Sequence, residues 1–218
     1  MKYLTIGPKH LANEAKLKYN CDFVISIQDH EEFFHAVPTP PGVDRENHKH
    51  FFFDDLTDDV PLRKSSRSEG PIRGHLPDME DVQGIVNFYK TIPDWSRVYI
   101  HCFAGVSRST AMSFACLCSE DPEGAEEGNL NLVERFALSN SIWPNDTIVR
   151  LADEYLNRKG KMIKTLKEWK AAEKALSFDI DAQMAKTSTR IKEISQLEGK
   201  PAHLWDELQK TLKIDKLS

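Results

Sequence analysis

The run Val98-Tyr99-Ile100-His101 is short, apolar and partly β-branched, and the residues after it, from about Ser107 to Leu117, are mostly small and apolar. A strand of this kind leading within a few residues into a buried helix belongs at the centre of an α/β domain. The rest of the chain supplies the alternation such a domain needs. Tyr3-Leu4-Thr5-Ile6 reads as a strand closed by Gly7-Pro8, residues 9–18 are helix-permissive, and Asp22 to Ile27 is a second β-branched strand. Residues 36–48 hold Pro38, Pro40, Pro41 and Gly42 and read as a loop. His50-Phe51-Phe52-Phe53 is a further strand that runs into Asp54, Asp55, Asp58 and Asp59. From Asp78, the residues Val82, Ile85, Val86 and Tyr89 fall at helical spacing until Pro93 stops them, and two more helices are expected over 123–139 and 145–158. Strands alternating with helices imply a central, mostly parallel sheet flanked by helices on both faces.

Gly160 marks a change of character. Residues 161–218 are rich in Lys, Glu, Ala and Leu, with Met162, Leu166, Trp169 and Leu176 suiting one helical face and Ile180, Met184, Ile191 and Ile194 another. The expected organisation is therefore a domain over 1–160 and a helical C-terminal extension over 161–218. Trp169 and Trp205 read as packing anchors. The polar segment 61–76, with Arg63, Lys64, Arg67 and Arg73, reads as an exposed, inserted loop.

Composition narrows the class. The balance of 29 basic and 34 acidic residues gives −5, without the basic excess of a general nucleic-acid binder. Cys21, Cys102, Cys116 and Cys118 form neither a CxxC pair nor a metal-ligand pattern, and four are too few for a disulfide scaffold of this length. They read as reduced thiols. The start, MKYLTIGPKH, lacks the apolar core of a signal peptide, and no stretch approaches membrane-spanning length. The expectation is a cytoplasmic protein with no stable membrane insertion, no metal and no cofactor.

The chemistry concentrates in Val98-Tyr-Ile-His-Cys102-Phe-Ala-Gly105-Val-Ser-Arg108-Ser109-Thr. A strand ends at a cysteine, five residues intervene, and an arginine opens a helix. Such a loop can turn its N–H groups inward as a nest for an oxyanion, and the helix start adds positive partial charge. Gly105 permits backbone geometry that a side chain hinders. Surroundings of this kind lower a thiol pKa from about 8.5 to roughly 3.5–7.5, making Cys102 a nucleophile. Arg108 grips two phosphate oxygens through its planar fork. Ser109 can donate a hydrogen bond to the sulfur and ease its departure from a phosphocysteine. Phe103, Ala104, Gly105, Val106 and Ser107 complete the phosphate loop. A lone cysteine near an arginine is usually a small core residue beside a surface charge; the whole combination is far harder to reach by chance.

HCFAGVSRS matches the HCxxGxxR signature of the cysteine-dependent protein tyrosine phosphatase superfamily, and its SRS ending resembles the dual-specificity branch. Arg135-Phe-Ala-Leu-Ser139 followed by Trp143-Pro144-Asn145 resembles the R-x-x-S…PN segment that supports the phosphate loop there. Residues 145–162 resemble small bacterial tyrosine-phosphatase-like proteins, so the likeness covers roughly residues 1–162. It implies a general-acid aspartate upstream of the cysteine. Phe53-Asp54-Asp55 resembles the F-D-D form of some members, which selects Asp55, with Asp54, Asp58 and Asp59 as alternatives. Asp78 and Asp81 read instead as the start of the next helix. The implied reaction has two steps: Cys102 attacks phosphorus while Asp55 protonates the leaving oxygen, then water hydrolyses the phosphocysteine with the same aspartate as base.

The expected substrate is phosphorylated protein, on tyrosine alone or on tyrosine together with serine or threonine. A lipid phosphatase, an RNA 5′-phosphatase and a catalytically weak phosphate-binding module share the loop chemistry. The uncharged side chains of Phe103, Ala104, Val106 and Ser107 count against an inositol lipid, and the acidic balance against RNA. His101 is expected to bond to backbone and hold the loop in shape. Cys116 and Cys118 are expected in the core, a protective disulfide of Cys102 with either of them or with Cys21 being the minor alternative. The C-terminal helices can dock on the catalytic domain, pair with a second copy or recruit a partner.

Overall fold

A computed structural model describes residues 2–57 and 74–177. Four strands form one sheet: β1 (Tyr3–Pro8), β2 (Phe23–Gln28), β3 (His48–Phe52) and β4 (Arg97–Cys102). Their order is β1-β4-β2-β3 and all pairings are parallel. The strand containing Val98 to His101 is thus internal, with Ile100 in register with Ile6 on one side and Ile25 on the other. Parallel neighbours need crossover connections, which is why helical segments separate them in sequence.

The helices are α1 (Ala15–Tyr19), α2 (Met79–Thr91), α3 (Arg108–Glu120), α4 (Glu126–Phe136), α5 (Asp146–Tyr155) and α6 (Lys161–Ser177). α2, α3 and α5 pack against one another, and α3 also packs on β4 and β1. Tyr99 and Val24 join Ala12, Ala15, Cys21, Val37 and Val43 in a separate buried cluster, built from α1 and the loop before β3. Alternate residues of a strand face opposite ways, so both sheet faces are covered.

Several boundaries differ from the sequence-based expectation. The stretch 9–18 begins as a 3-10 helix over Lys9–Glu14, leaving α1 only five residues before Asn20 turns left-handed at φ 52°. β3 starts at His48 because His48 and Lys49 pair with Val24 and Ile25. α4 stops at Phe136 because the chain then runs along β1: Ala137 bridges to Ile6, and Leu138 N donates to Ile6 O at 2.7 Å. α2 follows the expectation closely. Asp78 caps it, accepting from Asp81 N at 3.0 Å while the Asp81 carboxylate accepts from Asp78 N at 3.1 Å.

Asp58, Asp59, Arg63, Lys64, Arg67 and Arg73 lie outside the described residues, as does the expected helical pattern beyond residue 177. Two compact units divide the chain, Met1–Ala171 and Ala172–Ser218. Within the first, Met162 and Leu166 at the start of α6 are buried. No helix among the described residues is long and apolar enough to cross a membrane.

The start of α6 depends on a buried carboxylate. Asp153 Oδ1 accepts from Gly160 N at 2.7 Å and Oδ2 from Met162 N at 2.8 Å, while Asn157, Lys159 and Gly160 all have positive φ. Removing the acceptor leaves two inner amides unpaired. Asp153→Ala is expected to lower the unfolding free energy by about 1–3 kcal/mol, measured by urea titration.

Candidate active site

The segment between β4 and α3 is held through its carbonyls. Phe103 O accepts from Lys9 N at 3.1 Å, and Ser139 Oγ donates to Ala104 O at 3.1 Å and Gly105 O at 3.2 Å. Val106 O accepts from Trp143 N at 2.9 Å and from Thr110 Oγ1 at 2.6 Å. Ser107 O accepts from Ala111 N at 3.0 Å and Thr110 Oγ1 at 2.8 Å, with a longer bond from Asn145 N at 3.4 Å. Every carbonyl from residue 103 to 107 is therefore engaged by the scaffold. In a trans peptide the N–H points opposite to the C=O. The amides of Ala104 to Arg108 are thus turned away from the scaffold. None of the amides from Phe103 to Thr110 donates to an acceptor among the described residues.

Gly105 makes the tight path sterically feasible. Its φ is +72°, and a Cβ there would lie 2.5 Å from Gly7 C and 2.7 Å from Pro8 N. The loop rests on the backbone that ends β1, and no flexible side chain can yield to make room.

Cys102 ends β4 at the foot of this loop. It is 2 % exposed, whereas Phe103 beside it is 66 % exposed. Its sulfur lies 3.3 Å from Ser109 Oγ, a hydroxyl on the first turn of α3. Arg108 opens α3 and is 3 % exposed. Nη1 donates to Phe53 O at 2.7 Å and pairs with Asp29 Oδ1 at the same distance, while the buried Nε has no partner among the described residues. A buried guanidinium N–H without an acceptor is costly, and an anionic oxygen is the acceptor that suits it.

The two described aspartates after β3 occupy different positions. Both Asp54 oxygens face backbone amides, Oδ1 taking His30 N at 3.1 Å and Oδ2 taking His75 N at 2.7 Å. Asp55 turns to the loop instead. Its Oδ1 accepts from Ser107 Oγ at 2.7 Å and Asn145 Nδ2 at 2.9 Å, and its other oxygen has no partner among the described residues. Asn145 Nδ2 also reaches Leu56 O at 3.1 Å, and its Oδ1 caps α5 by accepting from Ile148 N.

Two groups at the site escape sequence reasoning. Asp29 follows β2, and its only signal is its place at the carboxyl end of a parallel strand, where sites of such sheets gather. The second is the support of His101. Its Nε2 lies 2.6 Å from Ser26 Oγ, which lies 2.6 Å from His48 Nε2 as well; His48 Nδ1 reaches Thr39 Oγ1 at 3.3 Å. One hydroxyl hydrogen cannot serve both rings, so one imidazole accepts from Ser26 and the other donates to it. His101 Nδ1 lies against the Cys102 backbone without hydrogen-bond geometry. The support of His101 is thus a side-chain network, where sequence suggested a bond to backbone. Arg135 is exposed on α4, whereas Ser139 and Asn145 bear directly on the loop.

Cys21, Cys116 and Cys118 are free and buried. Burial pushes the Cys21 and Cys118 thiols up to about 12 and Cys116 higher still. His75, Asp78 and Asp81 bring ligand atoms within 4.8 Å of one another, but Asp78 and Asp81 already serve as the cap of α2.

Two outcomes are expected. Gly105→Ala forces a left-handed backbone and an overpacked contact together, each worth roughly 1–3 kcal/mol; calorimetry should show inorganic phosphate binding lost along with the stability. Burial holds the imidazoles neutral, His101 down to about 3 and His48 to about 4, with His48, His50 and Lys9 further opposing a positive charge on His101. Unfolded histidine titrates near 6.5 and so binds more protons than the native state between there and about 4. Unfolding free energy should therefore fall as pH drops below about 6.5, and His48→Asn should flatten that slope in urea titrations at several pH values.

No family model matches the chain, and no curated protein matches it. Among solved structures it is similar to the Yvh1 phosphatase domain from Chaetomium thermophilum, at 21% identity over 73% of this chain and 93% of that one, with a TM-score of 0.44. Similarity to the Cydia pomonella PTP-2 phosphatase is 18% over 70% and 84%, with a TM-score of 0.45. For PTPMT1 in complex with PI(5)P it is 16% over 71% and 90%, with a TM-score of 0.44.

Proposed function

We propose that this chain is a cysteine-dependent phosphatase that hydrolyses phosphorylated protein, on tyrosine first and on serine or threonine as a second capacity. The observation that carries this reading is the loop whose five carbonyls are bonded to the scaffold, leaving amides beside a cysteine, and a buried Arg108 Nε, that have no partner among the described residues. Three equatorial oxygens of a phosphoryl group in transfer would satisfy these donors, which are held in place before the reaction begins.

In the first step the Cys102 sulfur forms a bond to phosphorus as the ester P–O bond breaks. The departing oxygen takes a proton from Asp55. Asp55 suits this role better than Asp54, because both Asp54 oxygens hold backbone while one Asp55 oxygen has no partner among the described residues. In the second step water attacks the phosphocysteine, Asp55 removes its proton, and inorganic phosphate leaves. Ser109, 3.3 Å from the sulfur, stabilises the departing thiolate. Arg108 binds the phosphoryl oxygens through both steps.

Substrate class rests on the surroundings of the loop. Phe103, Ala104, Val106 and Ser107 carry no charge to read an inositol headgroup, and Phe103 offers an exposed ring beside the nucleophile for an aryl ester. The free thiols suit the reducing cytoplasm.

Turnover of a small aryl phosphate should vanish in Cys102→Ser; persistence at the wild-type rate would refute a phosphocysteine route. Asp55→Asn should lower kcat by about 10²–10⁴ and remove the fall in rate at high pH that loss of the acid's proton causes. A pH profile unchanged in that variant would move the acid elsewhere. Side by side, phosphotyrosine peptide should outrun phosphoserine peptide and phosphoinositide, and a faster lipid reaction would overturn the protein-substrate reading.

A further inference from the structure

The segment Trp143-Pro144-Asn145-Asp146 joins the loop to the general acid. Trp143 N and Asn145 N bond the carbonyls of Val106 and Ser107, and the Asn145 side chain holds Asp55. Behind this segment lies α6, outside the stretch that resembles the phosphatases. Lys170 Nζ sits 2.6 Å from Asp146 Oδ2 and 4.8 Å from the centre of the Trp143 ring, so one ammonium touches both ends of the four residues. Trp169 lies next to it, its ring centre 6.3 Å from that of Trp143 and its Nε1 3.4 Å from Glu134 Oε2 on α4. Leu166 and Met162, one and two turns earlier on the same face, are buried and fix where the start of α6 lies.

Lys170 is only 8 % exposed. Lysine is rarely so buried, because desolvating the ammonium is costly, and here a carboxylate and an aromatic face compensate it. Packing alone would be served by an apolar side chain of similar length. The cation adds something methionine cannot, namely a directional tie to Asp146 and Trp143 at once.

We propose that Lys170 is a positioning residue for catalysis: it fixes Trp143–Asp146 so that Asn145 holds Asp55 at the loop. This rests on the phosphatase reading above. The first helix of the C-terminal extension is then part of the catalytic apparatus.

The test compares Lys170→Met and Lys170→Arg in the full chain, using an aryl phosphate and the folded fraction from circular dichroism. Lys170→Met should lower kcat about tenfold to a hundredfold through misplacement of the acid, leave KM nearly unchanged and shift the high-pH limb of the profile. Lys170→Arg should restore most of the rate. Asp146→Asn cuts the same tie from the other side and should reproduce the kcat loss, which covers the case in which Lys170→Met does not fold. Wild-type kcat in folded Lys170→Met or in Asp146→Asn would overturn the proposal. So would equal losses in the Met and Arg variants with an unchanged pH profile, the mark of packing alone. Turnover surviving in Cys102→Ser would instead overturn the phosphatase reading itself.

Discussion

The site depends on the planarity of the peptide bond. Hydrogen bonds from Lys9, Ser139, Trp143 and the first turn of α3 engage the carbonyls of residues 103–107, and each carbonyl so held turns the following N–H the other way. The outward-turned amides are set by the scaffold around the loop as much as by the loop. Close contact between Gly105 and the end of β1 sets where the loop can sit, and the parallel pairing of β1 with β4 sets the height of that contact.

Behind the loop, polar groups are buried in a way that a core tolerates only when they are paired. His101 and His48 share the Ser26 hydroxyl, and Arg108 finds Phe53 O and Asp29. The Ser26 hydroxyl ties β2 to the first residue of β3 and to β4, and Arg108 ties α3 to the residues that follow β2 and β3. Within this network two buried nitrogens, His101 Nδ1 and Arg108 Nε, have no partner among the described residues, and Arg108 Nε is the charged donor that an anionic oxygen would satisfy.

Division of labour between adjacent carboxylates follows from the same geometry. Asp54 and Asp55 are chemically identical and neighbours in sequence. The chain bends at Asp55, with Leu56 N bonded to Asp54 O, so one carboxylate meets the amides of His30 and His75 while the other meets Ser107 and Asn145. The segment that holds Asp55 is contacted in turn by Lys170 of α6, through Asp146 and the Trp143 ring.

The strand order could not be read from sequence, yet the class of fold could, because burial on both faces leaves a β-branched run with no polar alternation and the crossovers must be helical. Cys102, Gly105, Arg108 and Ser109 were legible for a similar reason: strand, loop and helix are contiguous, so their spacing is their geometry. Ser139 and Asn145 were reached only by resemblance, and Asp29, Ser26, His48 and Lys170 not at all. Each of these comes from a distant part of the chain and meets the site only through packing, and a hydrogen bond between remote residues leaves no periodicity to detect. Local order determined which side chains stand at the loop between β4 and α3, and the tertiary structure alone decided which remote side chains hold that loop in place.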